Sequence, residues 1–283
     1  MAGTVIYPRE WINNMIFVNL SNVTLLDLSS CPNLDDECLK QIFPNCSRLQ
    51  HLYLNNTPGI TNDTISHLCF RCNNLNFLDV SGCLRLTERA LWIIAKFLRQ
   101  LRGLKMDACT DVFSGDTEAF HLLLKNNLDI EVLSFNKTPM DDAYLSSLYL
   151  SKKLKEVHLE STKITGNGIS SLYFRNLRSL NIASCSDIRD DTLSSIAVQS
   201  PHLTYVDLTS CISITDKAIV ELSQRCPQVA YLDLTWSKIN GSCFSSLAGL
   251  KHLATLKLGH CEIHPQKTQD LAGIHGLKHL DLT

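Results

Sequence analysis

The chain has 283 residues, 45% of them apolar and 19% charged, with a formal net charge of -2. That balance describes an ordinary globular chain and gives no electrostatic reason to expect a nucleic-acid partner. No apolar run approaches the ~18 residues a membrane helix needs, and the N-terminus lacks a basic region leading into an apolar core, so no secretory signal is read.

In chain order, residues 1–22 precede any regular pattern. Trp11, Ile16, Phe17 and Leu20 lie in this stretch, and it is expected to cap an apolar end. From Val23 onward a short motif recurs. Val23, Leu26, Leu28 and Cys31 form one copy; Leu75, Leu78, Val80 and Cys83 another; Leu203, Val206, Leu208 and Cys211 a third. First positions fall at Val23, Leu49, Leu75, Leu101, Ile130, Leu154, Leu177, Leu203, Val229, Leu253 and Leu277. L-x-x-L-x-L-x-x-C with a period of roughly 20–29 residues is the leucine-rich-repeat signature. The L-x-L core alternates apolar and polar and predicts a short strand with one buried face. A loop such as Pro32-Asn33-Leu34 follows. A helix then opens at Asp35, Thr61, Thr87, Thr165 or Thr215, residue types that cap helix N-termini. Its apolar residues, such as Ile65, Leu68 and Cys69, keep helical spacing. The longest interval, Leu101 to Ile130, predicts a small insertion near residues 113–117.

One repeat cannot bury its apolar face alone, so the repeats must stack. The expected fold is an α/β leucine-rich-repeat solenoid, a horseshoe with a parallel concave sheet and convex helices. Residues 23–283 would form one repeat domain, its last repeat truncated at Thr283. All twelve cysteines have a place in the repeat, and buried free thiols behave as small hydrophobes. They are expected to be reduced, in a cytoplasmic or nuclear setting. Cys69-Phe70-Arg71-Cys72 is a C-x-x-C, but no second pair and no nearby histidines complete a zinc set. N-x-S/T sequons at Asn19, Asn22, Asn45, Asn55, Asn62, Asn136 and Asn240 would carry glycans in a secreted protein, yet such residues are also common in repeat turns.

No phosphate loop, nucleophile elbow or H-E-x-x-H is present. His158 between Glu156 and Glu160 reads as a solvated row; His260 and His264 do not converge with Cys261. The chain therefore reads as a binding protein with no enzymatic activity, metal or cofactor. Repeat positions 3, 5, 7 and 8 should face the concave side. There Tyr53 and Phe77 lie on neighbouring strands, and Tyr205, Tyr231 and Trp236 gather beside Asp207, Asp233 and His260. Aromatics ringed by charge are typical interface anchors. Tyr53, Phe77, Tyr205, Asp207, Tyr231, Asp233 and Trp236 are thus the candidate partner-binding residues. For the aspartates, hydrogen bonding to neighbouring strand ends is the simpler expectation.

The segment Leu203-Thr204-Tyr205-Val206-Asp207-Leu208-Thr209-Ser210-Cys211, with Ile214-Thr215-Asp216 and Cys226-Pro227 after it, resembles the cysteine-containing leucine-rich-repeat subfamily. Residues 23–100 and 177–228 resemble it best, and 130–176 depart most. This subfamily is best known from F-box/LRR proteins, substrate receptors of SCF ubiquitin ligases. Similar repeats occur in mitotic-exit-network antagonists and ciliary dynein-regulatory-complex subunits. The resemblance implies a protein target held on the concave face and ubiquitin-dependent degradation of that target. The stretch Tyr7-Pro8-Arg9-Glu10-Trp11-Ile12 is too short for an F-box, so contact with the SCF adaptor and cullin is expected only from a longer form. The alternative is a non-ligase scaffold or inhibitor with a single protein partner.

Overall fold

A computed structural model describes residues 19–170, 172 and 174–283. Of the expected cap, Trp11, Ile16 and Phe17 lie outside the described residues, while Leu20 is buried. The chain forms two compact units, the first ending at Met140 and the second beginning at Asp141.

In the first unit the strands are β1 (Leu25–Asp27), β2 (His51–Tyr53), β3 (Phe77–Asp79), β4 (Gly103–Lys105) and β5 (Val132–Ser134). They pair in parallel, each residue opposite its counterpart in the next repeat, as Leu26 is opposite Leu52 and Leu78 opposite Leu104. Between them run α1 (Asp36–Ile42), α2 (Asn62–Arg71), α3 (Glu88–Phe97) and α4 (Glu118–Asn126). The second unit repeats the plan with β6 (Glu156–His158), β7 (Ser179–Asn181), β8 (Tyr205–Asp207), β9 (Tyr231–Asp233), β10 (Thr255–Lys257) and β11 (His279–Asp281). Its helices are α5 (Asp142–Leu145), α6 (Gly166–Ser170), α7 (Asp190–Gln199), α8 (Asp216–Arg225) and α9 (Phe244–Leu247). Each unit is a leucine-rich-repeat solenoid, with its parallel sheet on one side and its helices on the other. Every strand is three residues long and spans repeat positions 3 to 5, beginning one residue before the predicted L-x-L core and ending before its second apolar residue.

The extra residues predicted before Ile130 lie where expected, between a 3-10 turn at Thr110–Phe113 and α4, which opens only at Glu118; Val112 and Phe113 of the turn are buried. Phe113, Phe120 and Phe135 meet edge-on, with centroids 5.0 to 6.3 Å apart. Three aromatics fill volume that a single leucine layer would leave empty.

Asp35, Thr61 and Thr215 cap their helices as expected, accepting from the amides of Cys38, Asp63 and Lys217. Thr87 also precedes its helix but does not cap it; its hydroxyl accepts from the Asn62 amide group. That bond belongs to a ladder the sequence reading did not foresee. The residue after one cap accepts from the cap region of the next repeat. Asp36 takes the Thr61 amide and hydroxyl and the Thr64 amide. Asp142 takes Thr165, Asp190 takes Thr215, and Asp216 takes the amides of Asn240, Gly241 and Cys243.

The cysteines do a similar job at strand level. The Cys83, Cys109, Cys185, Cys211 and Cys261 thiols each donate to the sixth-position carbonyl of the preceding repeat, at 3.1 to 3.3 Å. Thr138, Thr162 and Ser237 occupy the same position but donate within their own repeat, to Phe135, Leu159 and Leu234. All twelve thiols are free, and all but Cys261 are buried. Burial pushes Cys69, Cys72, Cys83, Cys109, Cys211 and Cys226 up to about 12, so their nucleophilic thiolate is scarce at neutral pH. This includes both thiols of the C-x-x-C. Among the described residues no three His, Cys, Asp or Glu side chains are grouped to hold a metal, and no helix is long and apolar enough to cross a membrane.

At the helix-end site three residues before a first position, Cys46, Cys72 and Cys226 donate to nearby carbonyls, and Asn127 takes the role in its repeat. Ser151 and Ser200 stand at this site too, buried with unpaired hydroxyls. A buried hydroxyl without a partner destabilises by roughly 1–3 kcal/mol, whereas a thiol is much less polar. Ser200→Cys is therefore expected to raise the unfolding free energy by about 1 kcal/mol, read from the urea midpoint; an unchanged or lower midpoint contradicts the assignment. In thiol labelling without reductant, Cys261 should react first in the native protein, and the denatured count should approach twelve.

Candidate partner-binding face

The solvent face of each sheet carries repeat positions 3 and 5. In-register pairing stacks like positions into rows, so a side chain meets its counterpart in the next repeat. In the second unit Tyr205 lies opposite Tyr231, and Asp207 opposite Asp233. The two tyrosine rings stack with centroids 4.3 Å apart and planes 10° apart. Each hydroxyl turns back to the aspartate of its own strand, at 3.4 Å for Tyr205–Asp207 and 3.1 Å for Tyr231–Asp233.

Two carboxylates opposite each other repel, and the next strand resolves only one of them. Lys257 of β10 lies opposite Asp233 and reaches it at 3.0 Å, with its ammonium 5.4 Å from the Tyr231 ring centre. Burial pushes the Asp233 carboxyl up, but hydrogen bonds from Thr235 and the Lys257 ammonium prevail and hold it below the usual carboxylate range. Asp207 goes the other way. Burial raises it, the Thr209 bonds offset part of this, and the Asp233 and Glu160 carboxylates add to the rise.

Both aspartates also shape the turn after their strand. Asp207 accepts from the Thr209 amide and hydroxyl, and Asp233 from those of Thr235. Asp27, Asp79 and Asp281 accept the amide two residues on in the same way. These turn bonds stay within each aspartate's own repeat and do not reach the neighbouring strand ends that were expected. Asp233 is 4% exposed, so the charge presented there is that of Lys257.

Trp236 does not join the tyrosines. It stacks on His260 of the next repeat, centroids 3.9 Å apart and planes 17° apart. Both lie at the eighth repeat position, where the backbone takes positive φ in repeat after repeat. Ser30, Asn56, Ala108, Lys137, Ser161, Ser184 and Ser210 do so there, and Gly82 matches them. Trp236 has φ 61° and His260 φ 55°. This conformation costs a residue with a Cβ about 1 kcal/mol and is rare for bulky side chains. Trp236 is nonetheless 54% exposed, as is Ile212 nearby. Together with Lys238, Asn240, His260 and Glu262 they line an open cavity of about 400 Å³. Comparing residues at position eight singles out Trp236 and His260 as its only aromatic rings. Their strained backbone is visible only in the structure.

The first unit holds a smaller aromatic group. Phe77 packs on Tyr53 at 5.4 Å and on His51 at 6.1 Å, and the Lys105 ammonium lies 5.9 Å from its ring. The ring also lies over Gly103, where a Cβ would come within 2.3 Å of Cδ2. Gly103 therefore marks a place where a ring needs a flat neighbour. His158 of β6 is bonded to the Ser179 hydroxyl at 3.0 Å, consistent with a role in the row.

Comparison with known proteins agrees with the repeat reading. A family profile described as "Leucine Rich repeat" matches residues 150–172 and 199–223. The first segment lies where the cysteine pattern was expected to be weakest. Thr138 and Thr162 replace cysteine there, so that stretch departs from the cysteine variant and not from the repeat. No curated protein matches the chain. Among solved structures, Rad7 in the yeast Rad7–Elc1 complex is similar at 18% identity and TM-score 0.67, covering 97% of this chain and 82% of that one. An internalin (inlF) from Listeria monocytogenes is similar at 18% identity and TM-score 0.61, covering 93% and 82%. TLR13 in its ssRNA13 complex gives 19% and 0.60, covering 93% and 40%. These likenesses concern the fold. The chain is accordingly a protein built of leucine-rich repeats.

The two aspartates make opposite pH predictions. Asp207 has a raised folded pKa, so its ionised form destabilises the fold above that pKa. Asp207→Asn keeps the turn acceptor and should raise stability at pH 7 by under about 1 kcal/mol, the gain vanishing below pH ~4. Asp233 has a lowered folded pKa and stabilises above its unfolded value. Asp233→Asn should lose stability at pH 7, and the loss should vanish as pH falls through its folded pKa. Urea unfolding across pH 3–8 separates the two; same-sign effects contradict the assignment.

Proposed function

We propose that the protein recognises a protein target through the solvent face of β8–β10, with Tyr205, Tyr231 and Trp236 as anchors. One observation carries this reading. Trp236 occupies an unfavourable backbone conformation and remains exposed, where nearly every other repeat uses a small residue. A large exposed aromatic contributes binding energy when a partner desolvates it. Asp207 fits the same reading, because a basic side chain of the target placed beside it would stabilise a carboxylate crowded by Asp233 and Glu160. In the first unit, Tyr53 and Phe77 are offered as a further contact.

We infer further that the target is presented to an SCF-type ubiquitin ligase, the adaptor and cullin joining a longer form of the chain. Support comes from the resemblance to cysteine-containing F-box/LRR repeats and from the likeness to Rad7, itself solved with a protein partner, Elc1. The runner-up is a scaffold or inhibitor that holds one protein and recruits no ligase.

A photo-crosslinking residue placed at 205, 231 or 236 and, as a control, at exposed Gln224 on α8 tests both points. The expected outcome is one protein crosslinked from the sheet positions and not from 224, lost when the other anchors are alanine, with the thermal transition shifted by less than about 3 °C. Crosslinks from 224 alone would sink the sheet-face reading. Adaptor and cullin co-purifying with the crosslinked target support the ligase reading, and their absence from a longer form selects the scaffold.

A further inference from the structure

We propose a second docking surface, on the helical side of the first unit, that receives an acidic amphipathic helix of a partner protein. It goes beyond the sheet-face reading and does not depend on it. The surface is the groove between α2 and α3. Ser66 and Phe70 of α2 and Arg89, Ile93 and Phe97 of α3 line an open apolar cavity of about 280 Å³. In each helix these residues are spaced four apart, so Phe70 of α2 and Ile93 and Phe97 of α3 open on the same groove. Phe70 is 77% exposed and Phe97 52%. Single exposed apolar residues need no explanation, but two phenylalanines opening on one cavity are a patch.

The repeat does not require these rings. Phe70 stands five residues before the first position Leu75; the same place holds Lys96, Lys125 and Gln224 in three repeats, and exposed Tyr149 and Val198 in two others. Phe97 stands four before Leu101; its counterparts include Asn126, Gln199 and Arg225. Polar residues suffice where a helix end meets only water.

Charge selects the occupant. The Arg71 guanidinium lies 5.2 Å from the Phe70 ring centre, and the Lys96 ammonium 5.5 Å from that of Phe97. Cations in a last helical turn complement the macrodipole and need no partner. Arg89 is different. It lies in the first turn of α3, where a cation opposes the dipole. Among the described residues none of the three is in an ion pair. An apolar slot running about 12 Å along α3 from Arg89 to Phe97, edged by three cations, matches a helix that presents apolar side chains at i and i+4 with Asp or Glu on both flanks.

The test uses a displayed library of helical peptides, selected on the full chain. Selected clones should be net acidic with an i, i+4 apolar pair. Their Kd should rise at least tenfold for Phe70→Ser/Phe97→Ser, and again for Arg89→Glu/Lys96→Glu. All four residues are exposed, so thermal transitions should stay near wild type; should the serine pair misfold, the charge reversal alone decides. Trp236→Ala should leave these clones unaffected, which separates failure here from failure of the sheet-face reading. The proposal falls if no clone depends on the groove, or if the dependent clones are neutral or basic. Groove-dependent binding of phosphatidylserine vesicles without any acidic helical clone would overturn it in favour of a membrane surface.

Discussion

The structure depends on one constraint: no repeat can satisfy itself. A three-residue strand leaves one edge of its backbone open, and a single helix leaves half its surface apolar. Both are completed only by the neighbouring repeat. The pairing of strands is one expression of this. The thiol of Cys109 bonded to the Val80 carbonyl, and the Asp36 carboxylate bonded to Thr61, are others. Each places a polar atom of one repeat against an unsatisfied atom of the next, at a depth where water cannot substitute. Ser151 and Ser200 show what happens when the donor is wrong for its place.

That constraint also fixes what can vary. With positions 1, 4, 6 and 9 committed to the interior, variation is confined to the sheet face and the outer helix surface. In-register pairing turns each variable position into a row of facing side chains. The row at position three brings Tyr205 onto Tyr231, and the row at position eight brings Trp236 onto His260. Position five sets Asp207, Asp233 and Lys257 side by side, so one lysine can neutralise one of two aspartates. The uneven result, a stabilised Asp233 and a destabilised Asp207, is a property of the row and of no single residue.

The two surfaces with exposed aromatics illustrate one criterion used in opposite directions. On the sheet face Trp236 stands out because the backbone there disfavours large residues. On the helical face Phe70 and Phe97 stand out because the repeat would be equally well served by lysine or glutamine. In both places the departure from the repeat's own economy separates a binding feature from a packing one.

The sequence by itself determined the repeat, its register and its core. Leucine spacing at positions 1, 4 and 6 placed all eleven strands, because a period-two apolar pattern leaves one register that buries it. It also accounted for the buried cysteines and most helix caps, which depend on local residue type. It located the candidate aromatics without their partners. Only the tertiary structure decided that Tyr231 and Trp236, five residues apart, belong to separate stacks, that Asp233 is buried beneath Lys257, and that Asp36 bonds forward to the next repeat. It alone brought Phe70 and Phe97 onto one groove. The reason is geometric: such contacts join residues some 25 positions apart across neighbouring repeats, and the side-chain orientations that make them are set by stacking, which no local pattern encodes.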